Sequence, residues 1–180
     1  MFNGFPMPKP DSGGGGSSVK SVRRASGWVS MGTGVPSLNV AIDPVDDNSS
    51  IVLIKSYPQE HNVNVNRWTI SGELTSPTNV FLQRTDNGSP AICFFDVVEL
   101  QDLKSFQKGT VTVSGGATLV TIDPVDLLKT VVFVNFRTIL AYPWCSHRFT
   151  NATTLRFDQP VNPSVLGDTK IVNYYVAEFN

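Results

Sequence analysis

The chain has 180 residues, of which 41% are hydrophobic, and a formal net charge of −1 at pH 7. That length allows one large domain or two small ones, and that composition is typical of a packed globular protein rather than a disordered one. The balanced charge argues against a nucleic-acid partner, which requires clustered Lys and Arg, and no apolar run approaches the length of a membrane span.

The first 18 residues differ in composition from the rest of the chain. Phe2, Phe5 and Met7 stand among prolines and glycines, and four consecutive glycines follow at 13–16. The segment lacks the basic start and the apolar stretch of a secretory signal, so we expect synthesis in a reducing cytosol. Two interpretations remain open: a frayed terminus, or a flexible arm whose three bulky side chains dock into a neighbouring subunit.

From residue 19 onward the sequence is typical of β-strands. Val, Ile, Thr and Phe are dense in short runs, and turn residues interrupt these runs at close intervals. No long stretch carries apolar residues at helical spacing. We therefore predict an all-β protein built from antiparallel β-sandwiches or partly closed barrels.

An internal repeat organises this β sequence. The segment Ile42-Asp-Pro-Val-Asp46 recurs as Ile122-Asp-Pro-Val-Asp126. Four further blocks recur in the same order, and the matched pairs are 19–24 with 103–108, 50–54 with 130–134, 73–83 with 148–158, and 91–100 with 170–179. Five matched blocks in one order indicate a tandem duplication.

The duplication predicts the organisation of the chain. We expect two units of similar fold, 19–100 and 101–180, behind an extended arm at 1–18. The linker between the units is only Gln101-Asp102. A tether this short predicts that the two units keep one relative orientation.

The repeated Asp-Pro-Val-Asp segments have two interpretations. Asp43, Asp46, Asp123 and Asp126 could supply oxygen ligands to calcium. Alternatively, the Asp hydrogen-bonds the backbone ahead of it and the Pro presets the φ angle of a turn, since each motif lies where two β runs must reverse. We favour the turn.

Two glutamates occupy equivalent places, each one residue before the end of the closing strand of its unit. A lone carboxylate among apolar residues needs a partner, and the opening strands offer cations at matched positions. The hypothesis is one structural ion pair in each unit, Glu99 with Arg24 and Glu178 with Lys108. The alternative is a solvated charge at a sheet edge, which would contribute little.

The sequence predicts no catalytic residues. His61 lies in a polar loop, and Cys145 and His147 are too close along one strand to act as nucleophile and base without a special bend. Two histidines and two cysteines at unrelated positions do not form a recognised metal site, and we expect Cys93 and Cys145 to stay unpaired. We therefore expect no metal, no cofactor and no enzymatic activity.

Several aromatic residues lie near loops. Tyr57, Tyr142 and Trp144 could face a protein partner, stack on a sugar, or pack at the base of a loop. The two copies differ in these loops and in the loop that holds His61. These four residues are therefore the candidate interface residues.

The motifs of the two copies form a recognisable combination. It consists of a Gly-rich start, Val19-Lys-Ser-Val-Arg-Arg24, Ile42-Asp-Pro-Val-Asp46 before an apolar run, Thr150-Asn-Ala-Thr-Thr-Leu155 of the second copy, and the closing Val97-Val-Glu-Leu100 type of strand. This combination resembles small virion proteins of tailed bacteriophages, among them tail, fibre and head-decoration components, over nearly all of 19–180. The first copy departs from the second in having Ser49 where Lys129 stands.

The resemblance implies a structural role without catalytic residues. It suggests a tail, baseplate or fibre-attachment protein of the virion, made in the host cytoplasm, that binds neighbouring virion proteins through its arm and loops. Many copies in a symmetric assembly, and so a homo-oligomer, are expected. The alternatives are a head-decoration or collar protein, and a receptor-binding module for a host glycan. No membrane or nucleic-acid partner is expected.

Overall fold

The computed structural model describes residues 19–24, 29–58, 67–138, 145–159 and 169–180. The arm with Phe2, Phe5 and Met7 lies outside these ranges. No helix in the described residues is long and apolar enough to cross a membrane.

The described part of the first unit contains seven strands. They are β1 (Val19–Arg24), β2 (Val29–Met31), β3 (Ser37–Ala41), β4 (Ser50–Pro58), β5 (Ile70–Ser76), β6 (Asn79–Arg84) and β7 (Ala91–Leu100). In one sheet, β7 pairs with β4 on one side and successively with β1 and β2 on the other. The second sheet has the order β3-β6-β5. All of these pairings are antiparallel.

The described part of the second unit repeats this arrangement with six strands. They are β8 (Leu103–Ser114), β9 (Ala117–Thr121), β10 (Thr130–Thr138), β11 (Ser146–Asn151), β12 (Thr154–Asp158) and β13 (Thr169–Phe179). The sheets have the orders β10-β13-β8 and β11-β12-β9, so β8 alone takes the place of β1 and β2 together. The predicted all-β, antiparallel fold is confirmed, and the described strands form sandwiches rather than a closed barrel.

Buried and partly exposed residues alternate along the strands, and this alternation forms the two cores. In β6, Val80 and Leu82 are buried while their neighbours are partly exposed, and in β12 the same holds for Leu155 and Phe157. Period-two burial places these residues on the inner face of each sandwich. Burial of each such side chain stabilises the fold by about 1.5–3 kcal/mol.

The closing strand β13 is buried on both faces. Val172 and Val176 belong to the core of the second unit. Tyr175 and Ala177, on the opposite face of the strand, belong instead to the core cluster of the first unit. The sheet β10-β13-β8 is therefore a middle layer, with apolar residues of β13 on both of its faces.

Candidate functional site at the junction of the two units

The predicted turns do not lie within the Asp-Pro-Val-Asp motifs but directly after them. The hydrogen-bonded reversal follows the motif: Ser49 N donates to Asp46 O at 3.3 Å, and Lys129 N donates to Asp126 O at 3.0 Å. The second aspartate caps this turn, since Asp46 Oδ1 accepts from Asn48 N at 3.0 Å. The strands on either side belong to different sheets, so the connection crosses the sandwich and is not a hairpin.

The calcium interpretation gains no support from this geometry. The carboxylate of Asp46 also accepts a hydrogen bond from Ser49 Oγ at 3.0 Å, and Asp126 Oδ1 accepts one from Leu128 N at 3.0 Å. Within the described ranges, no group of three or more acidic, histidine or cysteine side chains could hold a metal ion. These carboxylates serve the backbone of the turn.

The buried glutamate of the second unit ties its opening strand to this turn. Glu178 accepts hydrogen bonds from Lys104 Nζ at 2.7 Å, from Ser105 Oγ at 3.0 Å and from Asp126 N at 3.0 Å. The predicted ion pair between Glu178 and Lys108 is therefore wrong, because the cation that contacts Glu178 is Lys104. Glu178 faces the interior of its sandwich, whereas Lys108 pairs with Tyr175 on the opposite face of the same sheet.

The equivalent glutamate of the first unit repeats the contact with the turn. Glu99 is buried and accepts a hydrogen bond from Asp46 N at 3.0 Å, as Glu178 does from Asp126 N. In the backbone register, Ser21 lies opposite Glu99, and Arg24 lies opposite Asp96. The side chain of Arg24 is outside the described part of the chain, so the pair Glu99–Arg24 stays a prediction.

The charge of Glu178 predicts a pH dependence of stability. The hydrogen bond from Lys104, and then that from Asp126 N, hold the pKa of this carboxyl below its ordinary value of 4.5. A pKa lowered on folding stabilises the protein above the unfolded-state value, and this contribution is lost as the pH falls through the folded-state value. We expect Glu178→Gln to flatten the loss of stability below about pH 5, measured by urea unfolding at a series of pH values. Parallel curves for the variant and the wild type would contradict this assignment.

The units meet at the open edge of the first sandwich, where β4 and β5 are edge strands of their sheets. Edge strands present backbone groups without ladder partners. Asn135, which is buried on β10, supplies those partners: its Nδ2 donates to Val52 O at 2.8 Å and to Gly72 O at 2.9 Å, and its Oδ1 accepts from Gly72 N at 3.0 Å. The side-chain amide of Asn135 thus connects the two sheets of the first unit to each other.

Neighbouring side chains of the second unit complete the amide contact. Asn173 Nδ2 donates to Gly72 O at 3.1 Å, and its own Oδ1 accepts from Thr110 Oγ1 at 2.9 Å. The hydroxyl of Tyr175 also donates to Gly72 O, at 3.4 Å. Burial raises the pKa of this phenol strongly, which keeps it a neutral donor. We call Asn135, Asn173 and Tyr175 the amide clamp.

Gly72 has a steric role in the junction. A Cβ at this position would lie 2.7 Å from Ile54 Cδ1 and 3.0 Å from Leu82 Cδ2. Both neighbours belong to the first unit, so glycine lets β5 approach the core closely while its N–H and C=O remain available to the clamp. The repeat-equivalent residue of the second unit is His147.

A small cavity adjoins the clamp, with a volume of about 110 Å³. It is lined by polar groups of both units, among them Glu73, Lys108 and Thr110. Ser50 Oγ, also in the lining, is buried and has no hydrogen-bond partner in the described structure. Pockets for organic ligands usually measure about 300–1,000 Å³, so this space suits a few water molecules rather than a substrate.

The cysteine and histidine candidates do not form a nucleophile and base. Both cysteines are free thiols. Burial raises the pKa of Cys145, which disfavours the reactive thiolate. Burial also lowers the pKa of His147, because it disfavours the charged form of the imidazole. His61 lies outside the described residues.

The thiols give a direct test of the packing at β7. Cys93 is fully buried, and burial raises its pKa from 9.0 to about 12. Its thiolate population near pH 8 is then roughly a thousandfold below that of a free cysteine. We expect iodoacetamide to leave Cys93 unmodified in the native protein and to label it rapidly in urea, as followed by peptide mass spectrometry. Equal labelling in both states would contradict the burial.

The side chains of the four predicted interface residues lie outside the described part of the structure. His61, Tyr142 and Trp144 lie outside the described residues. The backbone of Tyr57 lies in β4 opposite Ile92, but its side chain is outside the described part of the structure. The interface and sugar-stacking interpretations of these residues therefore stay predictions.

Sequence reasoning missed the amide clamp. Asn135 interrupts the apolar run Val131-Val-Phe-Val-Asn-Phe136, and Asn173 stands between Val172 and Tyr174 in β13. A polar residue inside such a run is the signal that could have indicated a buried hydrogen-bonding role.

Comparison with protein-family models, with curated proteins and with solved structures gave no match for this chain.

Proposed function

We propose that the chain is a non-catalytic structural subunit of a tailed-bacteriophage particle, placed in the tail, baseplate or fibre-attachment region. The observation that carries the proposal is the junction: a shared core and the amide clamp join two sandwiches into one double module. A module of this kind holds its outer surfaces at a constant spacing, which suits an assembly component.

The buried polar side chains hydrogen-bond the backbone, and this supports a structural role. Among the described residues, Glu99, Arg84 and Asn135 are buried and bond to backbone atoms. In an enzyme we would expect polar groups to converge on a pocket of substrate size instead. The resemblance of the sequence motifs to phage virion proteins supplies the setting.

The proposal predicts that the chain is part of the particle. We expect its peptides in density-purified virions, in many copies relative to the major capsid protein, by quantitative mass spectrometry. Antibody labelling in electron microscopy would place it on the tail or baseplate, or, as the alternative, on the head surface or collar. Peptides found only in the soluble fraction of the lysate would reject a virion role.

The arm is proposed to bind an adjacent virion protein. We expect removal of residues 1–18 to leave the melting temperature of the two units unchanged and to reduce incorporation into particles strongly. The matched control replaces Phe2, Phe5 and Met7 by serine in the full-length chain, which keeps the tether and removes the bulky groups. Wild-type incorporation of both variants would show that the arm is not the attachment.

A further inference from the structure

A serine hydroxyl is buried at the cavity beside the amide clamp. Ser50 is fully buried and lines the cavity, and its Oγ has no hydrogen-bond partner in the described structure. A hydroxyl that is buried without a hydrogen bond destabilises a protein, so folded proteins supply such groups with a protein partner or an ordered water. The hydroxyl of Ser50 therefore indicates a bound group in this cavity.

The second unit treats the equivalent hydroxyl differently. Within the repeat, Ser50 corresponds to Thr130, whose Oγ1 donates a hydrogen bond to Asp126 O at 2.6 Å. Thr130 is partly exposed, whereas Ser50 is buried where the two units meet. The Ser50 hydroxyl does not make the equivalent contact with its own turn. Its environment is therefore a property of the junction and not of the sandwich fold.

Backbone groups of the open edge face the same cavity. Residues two apart in a strand direct their N–H and C=O groups to the same side. Asn135 bonds such groups at Val52 and Gly72. Ser50 and Leu74 lie two residues away on the same two strands, so they direct theirs to the same edge, and both line the cavity. The cavity thus lies at the next step of the edge that the clamp covers.

The size and the charge of the cavity favour water as its ligand. A volume of about 110 Å³ accommodates about three or four waters at roughly 30 Å³ each. The lining contains one acidic residue, Glu73, and one basic residue, Lys108, whose Nζ also donates to Asp47 O at 2.8 Å. The ammonium disfavours a cation and the carboxylate disfavours an anion. Water is neutral, and it both donates and accepts hydrogen bonds, as a hydroxyl and a strand edge require.

We propose that the cavity binds a small cluster of ordered waters that completes the junction between the two units. The waters hydrogen-bond Ser50 Oγ and the edge backbone of Ser50 and Leu74, and connect them to Lys108 and Thr110 of the second unit. The cluster does with water what the amide clamp does with side chains, because a bridging water is nearly as favourable as a direct hydrogen bond. The inference concerns the junction itself and is independent of the assembly to which the chain belongs.

A crystal structure of the full-length chain, at a resolution that shows ordered water, tests the site directly. We expect water within hydrogen-bond distance of Ser50 Oγ, and at least one water of the cluster in contact with the backbone of Leu74. A cavity without ordered density, or one filled by a side chain, would exclude the cluster. A metal ion surrounded by short oxygen contacts would overturn the assignment of the ligand as water.

Thermal unfolding measures what the Ser50 hydroxyl contributes. We expect Ser50→Ala to lower the melting temperature by about 2–4 °C, the shift that the loss of one hydrogen bond produces in a chain of this size. The matched control is Thr130→Val, which removes a hydroxyl with a direct protein partner and should shift the melting temperature in the same direction. An unchanged or higher melting temperature for Ser50→Ala would overturn the inference, because removal of an unpaired buried hydroxyl is neutral or stabilising.

A second variant and a change of salt separate water from a dry cavity and from a cation. We expect Ser50→Val to lower the melting temperature more than Ser50→Ala, because its methyl groups displace water from the edge backbone. In a dry cavity the same methyl groups would fill space and raise the melting temperature, which would reject the cluster. Replacement of NaCl or KCl by choline chloride at equal ionic strength should leave the wild type unchanged, whereas a lower melting temperature would identify a metal cation instead.

Discussion

Replacement of Asn135 by leucine is expected to destabilise the protein by about 2–5 kcal/mol, one of the two largest effects that the structure predicts. The substitution removes the side-chain partners of Gly72 N and Val52 O while the second unit still covers both groups. A buried backbone group left without a hydrogen bond costs about 1–3 kcal/mol. Urea unfolding at neutral pH measures the change.

The repeat supplies a matched control for this substitution. Lys55 occupies the same position in the first unit, but it is exposed. We expect Lys55→Ala to change the free energy of unfolding by less than about 0.5 kcal/mol. We also expect Asn135→Leu to separate the unfolding of the two units into distinct transitions, because the clamp couples them. A single transition with unchanged midpoint would show that the apolar contacts alone hold the junction.

The fold was predictable because local signals and the repeat agree. Apolar alternation, short runs and turn residues all indicated strands, and the matched blocks correspond to matched strands: 50–54 lies in β4 and 130–134 lies in β10. Local patterning of this kind does not specify which sheet a strand joins. The turn after Asp46 was therefore expected between hairpin strands, whereas it connects two sheets.

The ion pair of Glu178 was assigned to the wrong lysine because the sequence does not show in which direction a side chain points. Lys104 and Lys108 both lie on the strand that pairs with β13, and sequence spacing alone does not show which one reaches Glu178. A register irregularity between Glu178 and Phe179 brings Lys104 to the carboxylate. The amide clamp depends on the packing of one unit against the other, and no motif within either unit reports that contact.

The buried arginine of the first unit is the site of the other large effect. Arg84 is buried at the end of β6, and its guanidinium donates to four backbone carbonyls, those of Gly32, Val35, Arg67 and Ser89. These carbonyls belong to three separate connections, which one planar group therefore ties together. We expect Arg84→Met to destabilise the protein by about 3–5 kcal/mol, because several buried acceptors lose their donor at once. Urea unfolding measures the change.

Two control variants, Arg84→Lys and Arg67→Met, test whether the loss of stability comes from the hydrogen bonds of the Arg84 guanidinium. Lysine offers a compact ammonium that cannot reach acceptors in four directions, so Arg84→Lys should recover only part of the loss. Arg67 is partly exposed and pairs with Asp86 at 3.3 Å, and we expect Arg67→Met to cost less than about 1 kcal/mol. Hydrogen exchange should show the amides near Gly32 and Val35 losing protection in Arg84→Met and keeping it in Arg67→Met. Equal effects of the two substitutions would mean that the charge of the region, rather than the guanidinium contacts with the backbone, determines its stability.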